Sequence, residues 1–131
     1  MPVRPLNLTI LPGRFAICRL ESGSPIPEWA TGGTLVSVTR TAAELSIVCD
    51  ESLVPARIKH EHGWICFQLR GPFAFTEVGV LASLIGPLAL ADISVFAVST
   101  FDTDYVLVKA DAEQAARAAL VGAGHIVEPR T

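Results

Sequence analysis

The chain has 131 residues, enough for one domain or two very small intertwined ones, and half of them are hydrophobic while 18% are charged. A net charge of −3 without a basic cluster argues against nucleic-acid binding, which needs a cationic surface. The longest apolar stretch, residues 78–91, is interrupted by Gly86-Pro87 and is shorter than the roughly 20 residues that span a bilayer. We therefore expect a compact globular protein that binds neither nucleic acid nor membrane.

The cysteines indicate a reducing compartment. Cys18, Cys49 and Cys66 cannot all pair within one chain, and none lies in a Cys-x-x-Cys spacing. Free cysteine packs as a small hydrophobe, and reduced thiols are typical of the cytoplasm. The N-terminus also lacks the continuous apolar core of a signal peptide. We therefore expect buried thiols in a cytoplasmic protein.

The first half of the chain alternates short strands with turns. The predicted strands are residues 6–11, 15–20, 34–40 and 45–49. Pro12-Gly13 is expected to turn the first strand back along the second. Residues 41–44 are too short for a helical crossover, so they predict an antiparallel hairpin. Helical structure is expected only as one turn at residues 28–30 and a short helix over residues 51–56.

The second half is more regular and contains two predicted helices. The leucines and isoleucine between residues 81 and 88 follow the spacing of one buried stripe, which predicts a helix over residues 76–91. Thr76 is its expected N-cap, and Glu77 lies in the first turn, where the helix dipole favours an anion. Residues 111–114 form a predicted capping box for the second helix. The predicted strands are residues 64–70, 93–100, 105–109 and 125–128.

The order of elements over residues 64–128 is therefore β-α-β-β-α-β, the ferredoxin-like arrangement of an antiparallel sheet with both helices on one face. The first half has similar strands without convincing helices, and we interpret it as a degenerate copy of the same unit. We predict an α+β protein of two ferredoxin-like βαββαβ units packed side by side. The degenerate unit would span residues 1–62 and the complete unit residues 63–131.

A short turn with two carboxylates joins the middle strands of the complete unit. A turn that only reversed the chain would favour Asn-Gly or Asp-Gly. Residues 100–104 instead contain hydroxyl groups, an aromatic ring, Asp102 and Asp104, and no glycine. These side chains could form a pocket for a small polar ligand, or the two aspartates could be solvated turn residues.

The predicted start of the first helix, residues 77–81, is a second candidate site. Free backbone N–H groups at a helix start attract carboxylates. Gly79 destabilises the first turn of a helix, so its presence needs a reason. The favoured reason is packing, because Gly79 would share a small-residue face with Ala82, Ser83 and Gly86. The other reason is room for a ligand.

Other polar residues carry weaker signals. His60 and His62 could bind a metal from one strand face, but two ligands without a third make a poor site, and a solvated turn before Gly63 is the favoured interpretation. His125 is expected to be structural or exposed. No Ser/His/Asp, Cys/His or phosphate-binding pattern is present. We therefore expect no catalytic residue, no bound metal and no cofactor.

The complete unit resembles an ACT domain. The resemblance rests on the glycine near the start of its first helix, on Pro-Leu-Ala-Leu-Ala-Asp-Ile-Ser-Val at residues 87–95, and on Ser-Thr-Phe-Asp-Thr-Asp at residues 99–104. It is specific over residues 64–110 and looser over the rest of the chain. Within the family, the chain is similar to the branch of aspartate kinase regulatory units and of a cytosolic arginine sensor of the TOR pathway.

The resemblance implies a regulatory function, because ACT domains bind small ligands, mostly amino acids, between neighbouring units. The implied ligand-binding residues are Glu77, Val78, Gly79, Val80, Thr100, Phe101, Asp102 and Asp104. The first four would offer main-chain groups, and Asp102 or Glu77 could supply a further carboxylate for a basic ligand. The sensor holds two such paired units and this chain only one pair, so a complete site would need a homodimer. An interaction module without a ligand is the alternative function, and an enzyme is third.

Overall fold

The computed structural model describes residues 4–129, which form two compact units. The small unit comprises residues 12–64, and the large unit combines the N-terminal residues up to Leu11 with the residues from Ile65 onward. The break after Trp64 lies close to the expected boundary, but the first strand belongs to the large unit. No helix within residues 4–129 is long and apolar enough to cross a membrane.

Strands dominate the described part of the chain. They are β1 (Asn7–Ile10), β2 (Phe15–Leu20), β3 (Ser37–Arg40), β4 (Leu45–Asp50), β5 (Lys59–Leu69), β6 (Phe96–Ser99), β7 (Asp104–Lys109) and β8 (Ile126–Val127). The α-helices are α1 (Val80–Leu90) and α2 (Glu113–Gly122). Short 3-10 helices lie at Glu28–Thr31, Glu51–Leu53 and Ala110–Ala112. The predicted β-α-β-β-α-β order is thus present from β5 to β8.

The small unit contains strands and 3-10 helices, with no α-helix among its described residues. β4 pairs antiparallel with β2 on one side and with β3 on the other. The predicted hairpin between β3 and β4 is confirmed, and its turn is closed by the Thr41 N–H, which donates to the Glu44 carbonyl at 2.9 Å. Its apolar core consists of Ala16, Cys18, Ala30, Leu45, Ile47 and Cys49.

All three cysteines are buried free thiols, as the sequence predicted. Cys18 on β2 and Cys49 on β4 lie in the same apolar core, and a hydrogen bond with Cys49 together with burial raises the pKa of Cys18. Burial raises the pKa of Cys66 on β5 to about 12. Cys18 and Cys66 therefore stay protonated and weakly nucleophilic at neutral pH.

The histidine segment before Trp64 is part of β5, so its interpretation as a solvated turn is wrong. Gly63 has a φ of 79°, and the pairing of β5 with β2 shifts register between Phe15 and Ile17. This combination is a β-bulge, in which a glycine in the left-handed region inserts one extra residue without ending the strand. His60 and His62 therefore lie on a strand, with ring centroids 6.1 Å apart.

The large unit is a sheet with both helices packed on one face, which confirms the predicted fold class. Its strands lie in the order β8–β1–β5–β7–β6. β6 and β7 form an antiparallel hairpin, and its turn is the segment with the two aspartates. Leu84 and Leu88 of α1 are fully buried, as the helical stripe predicted. The shared core includes Leu8, Ile10, Phe67, Leu69, Leu84, Leu88, Val106, Val108, Ala116 and Leu120.

β1 lies between β5 and β8, whereas the sequence predicted that it would pair with β2. Leu8 is opposite Leu69 on β5 and opposite Val127 on β8. The alternating apolar residues of β1 are buried in the core of the large unit. The apolar face of a strand can be buried in any sheet that has a free edge. The Pro12-Gly13 turn shows where the chain changes direction, but it does not determine which strands pair with β1.

Both helices begin later than their predicted caps. α1 begins at Val80 with Gly79 as its N-cap, and not at Thr76. Its cap residue has a φ of 80°, a left-handed conformation that glycine adopts without a steric penalty. α2 begins at Glu113, because Asp111 belongs to the preceding 3-10 helix and makes no cap hydrogen bond. The predicted capping box is therefore wrong.

His125 has a structural role, as expected, and is buried. The Leu6 N–H donates to its Nδ1 at 3.1 Å, and its Nε2 lies 2.9 Å from the Ser83 carbonyl oxygen. A neutral ring with its proton on Nε2 satisfies both bonds at once. His125 thus ties the segment before β1 to α1.

Candidate ligand-binding cleft

A cleft of about 420 Å³ lies in the large unit beside the N-terminal end of α1. Its walls are the loop over residues 73–79, the first turn of α1 and the turn over residues 99–104. Every ligand-binding residue that the sequence predicted lines this cleft except Val78, whose side chain is 95% exposed. The fold therefore brings together two candidate segments that lie nineteen residues apart in the sequence, residues 77–81 and 100–104.

The start of α1 presents main-chain donors to the cleft. No side chain caps this end of the helix, and Val80, Leu81 and Ala82 all line the cleft. The first N–H groups of a helix have no acceptor within it, and they lie at the positive end of its dipole. A Cβ atom at Gly79 would meet nothing within 4 Å. The left-handed φ, and not close packing, therefore explains this glycine.

The turn before β7 is closed by side chains in place of glycine. The backbone N–H and the Oγ1 of Thr100 both donate to the Thr103 carbonyl, at 2.8 and 3.0 Å. Thr103 Oγ1 in turn donates to the Leu69 carbonyl at 2.8 Å, which fixes the turn to β5. Ser99 Oγ donates to Asp104 Oδ1 at 2.5 Å. Asp104 is thus oriented by its neighbours, while Asp102 is exposed to solvent.

The loop before α1 contacts this turn directly. The Phe73 N–H donates to the Asp102 carbonyl at 2.8 Å. A Cβ atom at Gly71 would lie 2.9 Å from the Asp102 carbonyl oxygen and 3.1 Å from the Thr103 Cβ. The loop can approach the turn this closely only because residue 71 has no side chain.

Two exposed phenylalanines flank the opening of the cleft. Phe75 and Phe101 are 75% and 77% exposed, and their rings meet edge to face with centroids 4.8 Å apart. Sequence reasoning identified Phe101 but missed Phe75. The signal that could have revealed it is a second phenylalanine, two residues after Phe73, in the loop between Gly71-Pro72 and the predicted helix.

An ion pair supports one wall of the cleft from outside. Arg4 Nη2 lies 2.8 Å from Glu77 Oε2, and the guanidinium of Arg4 is 5.0 Å from the centroid of the Phe73 ring. Glu77 was expected in the first turn of α1, but it lies before the helix. Sequence reasoning missed Arg4, because 73 residues separate it from Glu77 and no local pattern connects the two.

The cleft is negatively charged. Its lining includes the carboxylates of Glu77, Asp102 and Asp104, and none of the described residues that line it is Lys, Arg or His. Within residues 4–129, no group of three or more His, Cys, Asp or Glu side chains could hold a metal ion. The cleft therefore offers a ligand backbone N–H donors from the start of α1, and carboxylate and hydroxyl groups from the turn over residues 99–104.

Comparison with known proteins identifies an ACT domain that lies mostly within the large unit. A family model described as an ACT domain matches residues 59–121, from the start of β5 into α2. A second model, described as an N-terminal domain, matches residues 13–57. A stretch of 49 residues is 45% identical to the Homo sapiens protein named cytosolic arginine sensor for mTORC1 subunit 1. That stretch covers 37% of this chain and only 15% of the sensor.

Solved structures extend the similarity to the whole chain. A crystal structure of an Agrobacterium tumefaciens protein is 41% identical, covers 98% of both chains and superposes with a TM-score of 0.91. The regulatory subunit of aspartate kinase from Thermus thermophilus covers 86% of this chain and 93% of its own, with a TM-score of 0.58. At 11% identity, the second comparison concerns the fold alone. Together with the β-α-β-β-α-β order of elements, the family match shows that residues 59–121 form an ACT domain.

Proposed function

We propose that this chain is a regulatory protein of ACT type that binds an amino acid in the cleft beside α1. One observation carries the proposal: an uncapped helix start and the oriented carboxylate of Asp104 line the same cleft of about 420 Å³. An amino acid is a zwitterion and needs both kinds of partner at once. None of the described residues that line the cleft is His, Cys or Lys, which favours a regulatory over a catalytic function.

The proposed ligand lies with its charges matched to the two ends of the cleft. Its carboxylate would accept hydrogen bonds from the N–H groups of Val80 and Leu81, where the helix dipole adds to the attraction. Its ammonium group, or a basic side chain, would bind the carboxylate of Asp104. Ser99 already donates to Asp104 Oδ1, so this carboxylate is held in place before the ligand arrives. Thr100 and Phe101 would complete the wall on that side.

Arginine is the first ligand to test. The human relative is named an arginine sensor, although the matched stretch covers only 15% of it. The carboxylate-rich lining suits a ligand that carries a second positive charge. The same name describes that relative as cytosolic, and we propose a cytoplasmic location for this chain as well.

A screen of the twenty amino acids by thermal unfolding tests the proposal. A ligand that binds only the folded state stabilises it by about 2.7 kcal/mol at a hundredfold excess over its dissociation constant. For a domain of this size, we expect a rise in melting temperature of several degrees with arginine or another amino acid. No shift with any of the twenty would reject amino-acid binding and leave the interaction module as the function.

We also propose that the protein acts as a homodimer. Within residues 4–129, β6 pairs with β7 on one side only, and such edges pair with strands of other chains. Leu90, at the C-terminal end of α1 in the same unit, is an apolar side chain that is 92% exposed and that a second chain could cover. Light scattering should give twice the chain mass of 13.9 kDa at tens of micromolar protein. Leu90→Glu should shift the protein toward monomer, and a monomeric wild type would contradict the proposal.

A further inference from the structure

The chain itself places a cation against the anionic wall of the cleft. Arg4 is bound to Glu77 at 2.8 Å and stacks over Phe73 at 5.0 Å, and both partners line the cleft. Arg4 does not line it. Its side chain is 57% exposed, and it acts on the cleft through its ion pair with Glu77.

The position of Arg4 is fixed by the fold. Leu6, two residues later, is buried in the core of the large unit, and its N–H donates to His125. β1 begins at Asn7 and is paired on both sides. The segment that carries Arg4 is thus anchored to the large unit, and this anchoring keeps Arg4 within reach of Glu77.

This ion pair changes the charge that a ligand experiences. Without Arg4, the cleft would present the full negative charge of Glu77 in addition to that of Asp104. With Arg4 bound, much of the Glu77 charge is compensated at a distance of 2.8 Å. A cationic ligand gains less in this state, whereas a neutral ligand of the same shape is little affected.

We propose that Arg4 sets the charge selectivity of the cleft by neutralising Glu77, and so limits its preference for cationic over neutral amino acids. This inference rests on the proposed amino-acid site and goes beyond it, because it assigns a role to a residue outside the cleft. Arg4 is a positioning residue, since it acts on the ligand only through Glu77.

The test compares arginine with citrulline, which has nearly the same shape but no charge on its side chain. Their dissociation constants are measured by calorimetry for wild type and for Arg4→Gln. The ratio of the citrulline to the arginine constant should rise about two- to fivefold in Arg4→Gln, the range expected for an exposed ion pair. The increase should diminish as salt is added, because mobile ions screen Glu77.

Arg70→Gln is a matched control. Arg70 Nη2 also bonds a glutamate, Glu128 Oε2 at 2.6 Å, and its side chain is 61% exposed against 57% for Arg4. Neither Arg70 nor Glu128 lines the cleft, so the ligand ratio should not change in this variant.

The ratio separates charge selectivity from loss of structure. If Arg4 only supported the loop, Arg4→Gln would weaken both ligands equally and leave the ratio unchanged, which would overturn the inference while amino-acid binding stands. If Arg4→Gln bound arginine and the wild type did not, this result would strongly support the proposed role of Arg4 in charge selectivity. Absence of binding to both ligands in both proteins would reject the inference together with the arginine site.

Discussion

Asp104→Asn should weaken binding of the amino-acid ligand by about 2–3 kcal/mol, or roughly 30- to 150-fold. Asp104 is the carboxylate that the fold orients most strongly, through the Ser99 hydroxyl and its position at the first residue of β7. Asparagine keeps the shape and can still accept that hydrogen bond, but it has no charge to match the ligand's cation. Because the cleft is open to solvent, we expect the loss of binding free energy at the lower end of the range for removing one partner of a charged pair.

Calorimetry on the wild type and the variant measures this difference, and the melting temperature of the free protein should stay nearly constant. Asp111→Asn is the control, because Asp111 is an exposed acid in a 3-10 helix of the same unit and does not line the cleft. Equal affinity in Asp104→Asn and wild type would exclude Asp104 as the ligand's anchor.

Gly71→Ala should destabilise the protein by about 1–3 kcal/mol, the usual cost of forcing extra volume into a packed region. The added methyl group would lie 2.9 Å from a backbone oxygen, that of Asp102, which cannot rotate away as a side chain could. The loop or the turn must therefore shift. Because both form walls of the cleft, ligand affinity should fall as well.

Gly122→Ala is the matched control. Gly122 is the last residue of α2, its φ is not left-handed, and a Cβ atom there would meet nothing within 4 Å. Alanine is favoured over glycine in a helix by up to about 1 kcal/mol, so this variant should be as stable as wild type or slightly more stable. Urea unfolding of the two variants measures both effects. A Gly71→Ala protein as stable as wild type would mean that the loop and the turn are not packed as closely as described.

Local sequence patterns determined most strands and the presence of both helices in this protein. The apolar spacing in α1 predicted that Leu84 and Leu88 would be buried, and the short link at residues 41–44 predicted an antiparallel hairpin. The patterns also identified both segments that form the cleft, because a turn with two aspartates and no glycine, and a glycine near a helix start, are unusual choices for structure alone. Such signals depend on a few neighbouring residues, so one sequence suffices to read them.

Only the tertiary structure decided which segments meet. The alternation of apolar and polar residues shows which face of β1 is buried. It does not show that β5 and β8 are the partners of β1, because every strand offers the same backbone hydrogen bonds. The start of α1 was set by the left-handed Gly79, and the ion pair of Glu77 joins it to Arg4, which lies 73 residues away. Contacts over such distances depend on how the whole chain packs, and no local pattern records them.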